Sequence, residues 1–295
     1  MATMRCPYCG ASFEVPETVS IAVCPYCGTT VWRQTGDLLK EHYMYELRVE
    51  YNRAFDMLRR TGQRLFAAPE DIGEASTPES GFLHFIPLHL FHVRVKASCP
   101  GNEEAGLEEG YETFLATRNP PGGLPRTYRF PTRGRRFFEP STLERGRYHQ
   151  PDVDPKELLG EASRRYREKA VREAHNHCEE PEVRDETRWQ GIIHYPIWEI
   201  RYRYGNEAYR GLVDGADGTV IYMEYPIGGK ERGILLGVAA GGLIAGAILG
   251  LGVGTLLGSH LAGAAGGVVA WLPGAYVSLK LGARRRGEYR LEEQS

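Results

Sequence analysis

Formal charge is missing from one long stretch of this chain. From Gly233 to Leu279 there is no Asp, Glu, Lys or Arg, although 25% of the 295 residues are charged. The chain also lacks an excess of positive charge, since its formal net charge is −2. Proteins dedicated to nucleic acids are usually basic, so this balance argues against a nucleic-acid partner. No apolar run opens the sequence, and we therefore expect no secretory signal.

Enzyme signatures are missing as well. The sequence has no phosphate loop, no H-E-x-x-H zinc motif and no Ser-His-Asp signature. Asp214 and Asp217 could pass for paired acids, but turn formation explains them better. The glycine-rich segment 252–258 imitates a dinucleotide loop, yet no acidic residue follows it before Glu288. We therefore predict a non-enzymatic protein, and an unrecognised active site is the competing hypothesis.

A repeated word stands near the start of the chain. C-P-Y-C-G occurs at Cys6–Gly10 and again at Cys24–Gly28. Each C-x-x-C turn can present two thiolates to one metal, and the glycine after it suits a backbone with positive φ. Four thiolates complete a tetrahedral shell, so we predict one structural Zn²⁺ and no zinc catalysis. Iron in the same site, two disulfides and four thiols without a metal are the alternatives. The predicted ligands are Cys6, Cys9, Cys24 and Cys27.

Short apolar segments accompany the predicted metal site. Ser12 to Val15 alternates and Val19 to Val23 clusters its apolar residues, as short strands do. With the two cysteine turns, this part of the chain resembles a zinc ribbon over roughly residues 4–34. The resemblance implies either a protein-contact module or a structural cap, because no basic stripe supports phosphate binding.

The uncharged stretch predicts a transmembrane helical hairpin. It is long enough for two spans of about 20 residues each, at about 233–257 and 261–281. Small residues recur at every fourth position, which places them on one stripe of each helix. This pattern resembles glycine-zipper membrane segments and implies close helix packing with room for a homo-oligomer. The stripe residues are Gly242, Gly246, Gly250, Gly254, Gly258, Ala262, Gly266, Ala270 and Gly274.

Charges beside the hairpin predict its orientation. Lys230 and Arg232 precede the first helix, and Arg284 to Arg286 follow the second. By the positive-inside rule, both ends of the hairpin face the cytoplasm. We therefore expect an integral protein of the cell membrane with cytoplasmic N- and C-termini. A plain anchor, an oligomerisation element and a pore are the open uses of the hairpin, although no buried charge marks an ion path.

The middle of the chain predicts an α+β fold. A helix from Lys156 to about Ala174 precedes a three-stranded antiparallel meander. The predicted strands are Ile192–Tyr204, Glu207–Val213 and Thr219–Tyr225. This order resembles a PepSY-like domain, which implies a binding or regulatory module. A helical segment at Asn52–Leu65 and a strand at Phe82–Val95 loosely repeat it, so we predict two such units.

The predicted organisation has five parts. They are a zinc ribbon at 1–36, a first α+β unit with an Arg-rich loop at 37–150, a second PepSY-like α+β unit at 151–230, the transmembrane hairpin at 231–283 and a cytoplasmic tail at 284–295. This layout resembles uncharacterised prokaryotic membrane proteins in which a zinc ribbon precedes PepSY-like repeats. That resemblance carries no known activity to this chain.

Two histidine groups are further metal candidates. His84, His89 and His92 lie in one predicted strand, where period two puts His89 on the opposite face from the other two. We therefore do not expect them to share a metal. The run His175-Asn176-His177-Cys178 ends a predicted helix, where histidine is favoured by the dipole in any case. Cys99 and Cys178 are left over from the zinc site, and we expect free thiols in a reducing cytosol.

An arginine cluster completes the candidate sites. Five arginines are interleaved with aromatic residues in a short segment, and in a membrane-tethered protein they suit anionic lipid headgroups. A solvated loop and nucleic-acid binding are the alternatives. The arginines are Arg126, Arg129, Arg133, Arg135 and Arg136.

The whole sequence predicts a membrane-anchored, cytoplasm-facing scaffold for an unknown protein partner. The alternative is a membrane-remodelling or transport component whose hairpin is the functional part.

Overall fold

The computed structural model describes residues 1–17, 19, 21–39, 41–126, 128–139, 144–256, 258–282 and 285–291. Its architecture is mixed α+β, as the sequence predicts. A small cysteine-bearing module comes first, one large curled sheet follows, and two long helices lie near the C-terminal end.

The N-terminal module consists of two short antiparallel strand pairs. β1 (Ala2–Arg5) pairs with β2 (Ser12–Val15), and β3 (Ile21–Val23) pairs with β4 (Thr30–Trp32). In β2 the two apolar side chains are buried and the two polar ones are exposed, because alternate residues of a strand face opposite sides. A core this small contributes little stability by itself.

Long strands form the centre of a nine-stranded sheet. β5 (His42–Met44) is the first strand of this sheet, and β6 (Thr77–Cys99) and β7 (Asn102–Leu115) follow as an antiparallel pair. Two short strands, β8 (Arg136–Phe137) and β9 (Arg147–Tyr148), add to β5 and β6. β10 (Glu182–Tyr204) runs antiparallel to β6 along almost its whole length. The two α+β units that the sequence predicts as repeats therefore share one sheet.

The predicted meander continues from β10. β11 (Glu207–Asp214) and β12 (Val220–Pro226) follow it in antiparallel order. β13 (Arg286–Arg290) then pairs with β12 at the sheet edge. The sequence predicts a tail at residues 284–295, but the part 286–290 is an edge strand instead. The strand has only five residues and three of them are charged, so no alternation of apolar residues marks it in the sequence. Arg284 and residues 292–295 lie outside the described residues.

Amphipathic helices cover the sheet. α1 (Tyr51–Gly62) buries Ala54, Phe55 and Leu58 against β10, β11 and β12. The four-residue helix α2 (Ile72–Ala75) joins α1 to β6. These contacts place one apolar core between the meander and α1.

A third helix covers the other end of the sheet. α3 (Leu159–Ala174) packs on β6 and β7 and buries three alanines between its charged residues. A single 3-10 turn, Pro155–Leu158, leads into it. Asp154 caps this turn, because its Oδ1 accepts a hydrogen bond from the Lys156 N–H at 2.8 Å. The sequence predicts one helix from Lys156 to about Ala174; its first residues form this 3-10 turn, and the α-helix itself begins at Leu159.

Two long helices form an antiparallel pair. They are α4 (Gly229–Leu256) and α5 (His260–Gly282), joined at Gly258, whose φ is 75°. The stretch Arg232–Val253 of α4 is long and apolar enough to cross a membrane, with a mean hydropathy of 2.3. No other helix among the described residues passes the same test. The predicted two-helix transmembrane hairpin is therefore a packed helix pair with one candidate span.

Candidate metal centre and its surroundings

The four predicted cysteines converge on one point. Their Sγ atoms all lie within 4.8 Å of one another. Cys6 and Cys27 are 3.6 Å apart, and Cys9 and Cys24 are 3.7 Å apart, measured between the Sγ atoms. This spacing suits four thiolates around a single tetrahedral ion, so the cluster can hold a metal such as zinc. Among the described residues, no other group of three or more such side chains comes as close.

The two C-P-Y-C-G words fold into the same turn. Gly10 donates its N–H to Cys6 O at 3.0 Å, and Gly28 donates its N–H to Cys24 O at 2.9 Å. The φ angles of these glycines are 73° and 72°. Only glycine adopts this left-handed conformation without strain, so the positive φ predicted at both positions is confirmed. The repeated word thus encodes a repeated turn that brings two sulfurs from each side to the cluster.

The thiol pKa differs between cysteines of the cluster. Burial disfavours the Cys6 thiolate, but backbone N–H groups of Cys9 and Tyr8 outweigh this effect and lower the pKa of Cys6 to about 6. For Cys24, burial dominates and raises the pKa to about 12. A bound metal requires all four thiols to be deprotonated, so binding releases protons and weakens in acid.

The cysteine module is docked against the large sheet. The Gln150 side chain bridges to the backbone of β3: it donates to Val23 O at 2.9 Å and accepts from Val23 N–H at 3.1 Å. Trp32 of β4 packs on Trp189 of β10 with ring centroids 5.2 Å apart. Gly28 lies under the Phe138 ring, so closely that a Cβ there would be 3.2 Å from Cδ1. We call the turns Cys6–Gly10 and Cys24–Gly28 the first and the second knuckle. The second knuckle therefore faces the sheet, whereas Cys9 of the first knuckle is exposed.

A buried histidine layer lies beneath this docking surface. Thr30 Oγ1 and His42 Nδ1 are 2.6 Å apart, and the His42 ring stacks on Phe138 at 4.1 Å. His194 contacts His42 edge-on, and its Nε2 is 2.5 Å from the Tyr148 hydroxyl. Burial lowers the pKa of His42 to about 3 and that of His194 well below its usual value. Both rings are therefore neutral at physiological pH.

Sequence reasoning missed this layer. Its histidines come from β5 and β10, which are more than a hundred residues apart in the chain. Neither histidine belongs to a motif, so no local signal could have found the pair. The layer joins the cysteine module to the sheet because Thr30 belongs to the module and His42 to the sheet.

The three histidines of β6 do not converge on one point, as predicted from their alternation along the strand. His84 Nδ1 lies 2.8 Å from His149 Nε2, and His84 Nε2 lies 3.2 Å from a Glu199 oxygen. His89 Nε2 is 2.8 Å from Val153 O, and its Nδ1 accepts the Trp189 indole N–H. His92 contacts a different residue, Glu109, at 2.9 Å. Each histidine thus has its own partner on a separate part of the sheet.

The expectation of free thiols at Cys99 and Cys178 is wrong. The two residues form a disulfide that ties the end of β6 to the segment after α3. The sequence could not show it, because 79 positions separate them and only the folded sheet brings their Cα atoms to 5.9 Å. A disulfide sulfur is not a thiolate, so Cys178 cannot join His175 and His177 as a metal ligand. Both histidines are exposed at the helix end.

Asp214 and Asp217 serve a turn, as predicted. Asp214 Oδ1 accepts the backbone N–H groups of Ala216 and Asp217 at 2.7 and 3.2 Å. Its Oδ2 accepts the hydroxyls of Tyr128 and Tyr195 at 2.7 and 2.8 Å. Burial raises the pKa of Asp214 while the tyrosine hydrogen bonds oppose that shift. This carboxyl group therefore has all its bonding capacity used inside the core.

The five clustered arginines have different surroundings. Arg135 lies over the rings of Tyr43 and Tyr111 at 5.3 and 5.4 Å, and Arg136 forms an ion pair with Glu46. Both are thus held by the protein itself. Arg133 is exposed. The remaining two, Arg126 and Arg129, line a small cavity with residues of α3.

The glycines of α4 meet glycines of α5. A Cβ at Gly246 would be 2.7 Å from Gly267 O, and a Cβ at Gly250 would collide with Gly263 O. The Trp271 ring covers Gly242. On α5 the closest contacts thus come from Gly263 and Gly267, which the predicted stripe does not include.

The other stripe positions lie around this contact. Gly266 and Ala270 line a groove of about 610 Å³ between the helices, Gly274 lies near Trp271, and Gly258 forms the turn. Gly254 is described as part of α4, and Ala262 as part of α5, by backbone alone. The small residues therefore allow the two backbones to approach closely, as expected for small-xxx-small packing.

Comparison of the chain with protein-family models, curated proteins and solved structures finds no match. The resemblances to a PepSY-like domain and to glycine-zipper segments therefore stay predictions from residue patterns. What is shown is a four-cysteine cluster, a large mixed sheet and one helix of membrane length.

Proposed function

We propose that this protein is a membrane-anchored, metal-stabilised scaffold without catalytic activity, which presents its sheet and cysteine module to a protein partner. The observation that carries the proposal is the apolar stretch Arg232–Val253. Its 22 residues span about 33 Å as a helix, against a hydrocarbon core of about 30 Å. Only 12% of its most apolar window is buried by the rest of the protein, so a lipid environment accounts for its surface better than water does.

The strand order supports anchoring by both long helices. β12 leads into α4, and α5 returns to β13, which pairs with β12 from Pro226↔Arg286 onward. Both ends of the helix pair therefore lie at one sheet edge, an arrangement that suits a hairpin with both ends on the same side of a membrane. Lys230, Arg232 and Arg285 stand at these ends. Such flanking charge favours the cytoplasmic side for the sheet and the cysteine module, whereas the Cys99–Cys178 disulfide of the same sheet is of a kind rare in a reducing cytosol.

The closed cysteine cluster supports a structural metal. Four thiolates fill a tetrahedral shell and leave no position for a reactive water. Metal binding would instead stabilise a module whose own core is small. The knuckle tips are free to contact a partner, since Tyr8 and Tyr26 are 78% and 69% exposed. Exposed aromatic side chains of this kind are typical anchors of protein interfaces.

Membrane anchoring is tested by extraction with two matched variants. Full-length protein should stay with alkaline-washed membranes and should need detergent for release. Ile248→Arg puts a charge in the apolar stretch, at a cost of about 2.5–3.5 kcal/mol, and should move protein to the soluble fraction. Phe66→Arg is the control, because Phe66 is similarly exposed on the sheet domain, at 71% against 62% for Ile248. Wild-type protein that is soluble without detergent would contradict the proposal.

The partner is tested by purification in mild detergent. Tyr8→Ala together with Tyr26→Ala should retain metal and lose one co-purifying protein. Tyr111→Ala, an exposed tyrosine on the sheet, should retain that protein. An identical set of proteins in all three purifications would argue against a partner at the knuckles.

A second candidate function rests on the groove between the long helices. Its volume of about 610 Å³ and its lining of small residues with Trp271 favour a membrane-remodelling or transport component in which the helix pair is the functional part. In that case the helix contacts, and not only membrane attachment, would be required for activity.

A further inference from the structure

A cavity of about 200 Å³ lies between α3, β7 and the segment that holds the first clustered arginines. Four arginines and two glutamates line it. They are Arg126, Arg129, Arg164, Arg165, Glu112 and Glu161. The arginines come from two distant parts of the chain, so the concentration of guanidinium groups exists only in the folded protein. Arg126 and Arg129 belong to the arginine cluster that the sequence shows, whereas Arg164 and Arg165 lie on α3, outside that cluster.

The cavity has an excess of positive charge. Four guanidinium groups against two carboxylates leave a formal charge of +2. Arg165 is paired, since its Nη1 lies 3.6 Å from a Glu112 oxygen, and Arg129 has a partner as well. Arg126 and Arg164 form no ion pair or side-chain hydrogen bond with the residues that the structure describes. Two guanidinium groups at the cavity thus keep their donors available for a ligand.

The donor set indicates the chemistry of that ligand. A guanidinium group offers paired N–H donors in a planar fork, which matches the oxygens of phosphate or carboxylate. A phosphate monoester carries about −1.5 to −2 charge near neutral pH, which balances the surplus of the lining. A carboxylate would balance only half of it. Two arginines that approach from different elements can also engage different oxygens of one tetrahedral group.

We propose that this cavity is a binding site for a phosphate monoester, held by Arg126 and Arg164 with Arg129 beside them. The site is separate from the metal centre and does not depend on membrane anchoring. The phosphate can belong to a soluble molecule or to a lipid headgroup such as that of phosphatidic acid. The recognition chemistry is the same for both sources, and the experiment distinguishes them.

The test uses full-length protein in neutral detergent micelles. Inorganic phosphate is titrated by calorimetry at constant ionic strength, and chloride replaces it in the blank. Arg126→Gln and Arg164→Gln should each weaken phosphate binding by about tenfold, the loss expected for one charge-assisted contact. Arg133→Gln is the matched control, because Arg133 is exposed in the same arginine cluster but does not line the cavity. It should bind as wild type does.

A second titration, with lipids, distinguishes a lipid phosphate from a soluble one. Short-chain phosphatidic acid in the same micelles is compared with phosphatidylcholine. Competition between phosphatidic acid and inorganic phosphate supports the site with a lipid ligand, and binding of inorganic phosphate alone supports it with a soluble one. The proposal is overturned if neither probe binds, or if Arg133→Gln weakens binding as much as Arg126→Gln does. Because all three side chains are exposed, unchanged unfolding midpoints should accompany every variant.

Discussion

Replacing Gly28 by alanine tests whether the cysteine module is held against the sheet. Gly10 is the natural control, since it occupies the same turn in the other knuckle with φ of 73° against 72°. A side chain in this left-handed conformation costs about 1–2 kcal/mol, and both substitutions share that cost. Their surroundings differ. A Cβ at Gly10 meets only Arg5 Nη2 at 3.9 Å, whereas one at Gly28 collides with the Phe138 ring.

The expected difference follows from this collision. Forcing an extra methyl group into a packed contact costs about 1–3 kcal/mol. Phe138 cannot move aside freely, because its ring is stacked on His42 and contacts His194 at 5.4 Å. Gly28→Ala should therefore lower the free energy of unfolding by about 1–3 kcal/mol more than Gly10→Ala does.

Urea unfolding of the full-length protein in micelles measures this difference. Trp32 and Trp189 meet at the docking surface, so tryptophan fluorescence reports its loss. Metal content should be equal in both variants, since each keeps all four cysteines. In a Phe138→Ala background the two substitutions should cost the same, because the colliding ring is gone. Equal destabilisation in the wild-type background would refute the reasoning.

Three further predictions follow from the packing and the chemistry. Gly250→Leu should separate α4 from α5 and reduce crosslinking between them, because its Cβ would meet Gly263 O; Gly237→Leu should not, since nothing lies within 4 Å there. Cys6→Ser should release the metal, measured by mass spectrometry, and increase hydrogen exchange in the cysteine module while the sheet stays protected. His42 has its pKa lowered from 6.5 to about 3, so the unfolded chain binds its proton first as the pH falls. The free energy of unfolding should therefore fall as the pH falls from about 6.5 to about 3, by up to about 1.4 kcal/mol per pH unit. Urea unfolding at several pH values measures this slope, and His42→Gln should make it flatter.

Local chemistry was predictable from the sequence. The repeated C-P-Y-C-G word determines the turn at Gly10 and Gly28, and the four sulfurs follow from two such turns. The cap at Asp154 and the turn at Asp214 depend on side chains that bond backbone groups two or three residues away. In each case the partners are neighbours in the chain, so the pattern of a few residues contains the interaction.

Long-range pairing was not predictable from one sequence. β13, the Cys99–Cys178 disulfide and the contact between Thr30 and His42 each join segments that carry no signal of their partner. The stripe on α5 illustrates the same limit. Gly266 and Gly267 both fit a repeat of small residues, and only the way the helices meet selects Gly267 for the contact with Gly246.

The position of the long helices also has a consequence for biosynthesis. The two helices connect β12 to β13 in the way that a loop connects the strands of a β-hairpin, because Pro226 and Arg286 are direct partners on these strands. A ribosome delivers β12 first, both helices next and β13 last, so the outer strand can dock only after the helices have been made and have folded back. Until then the edge of β12 is open, and open edges are templates for aggregation. Pairing of β13 with β12 therefore requires that both long helices have been synthesised and have folded back on each other.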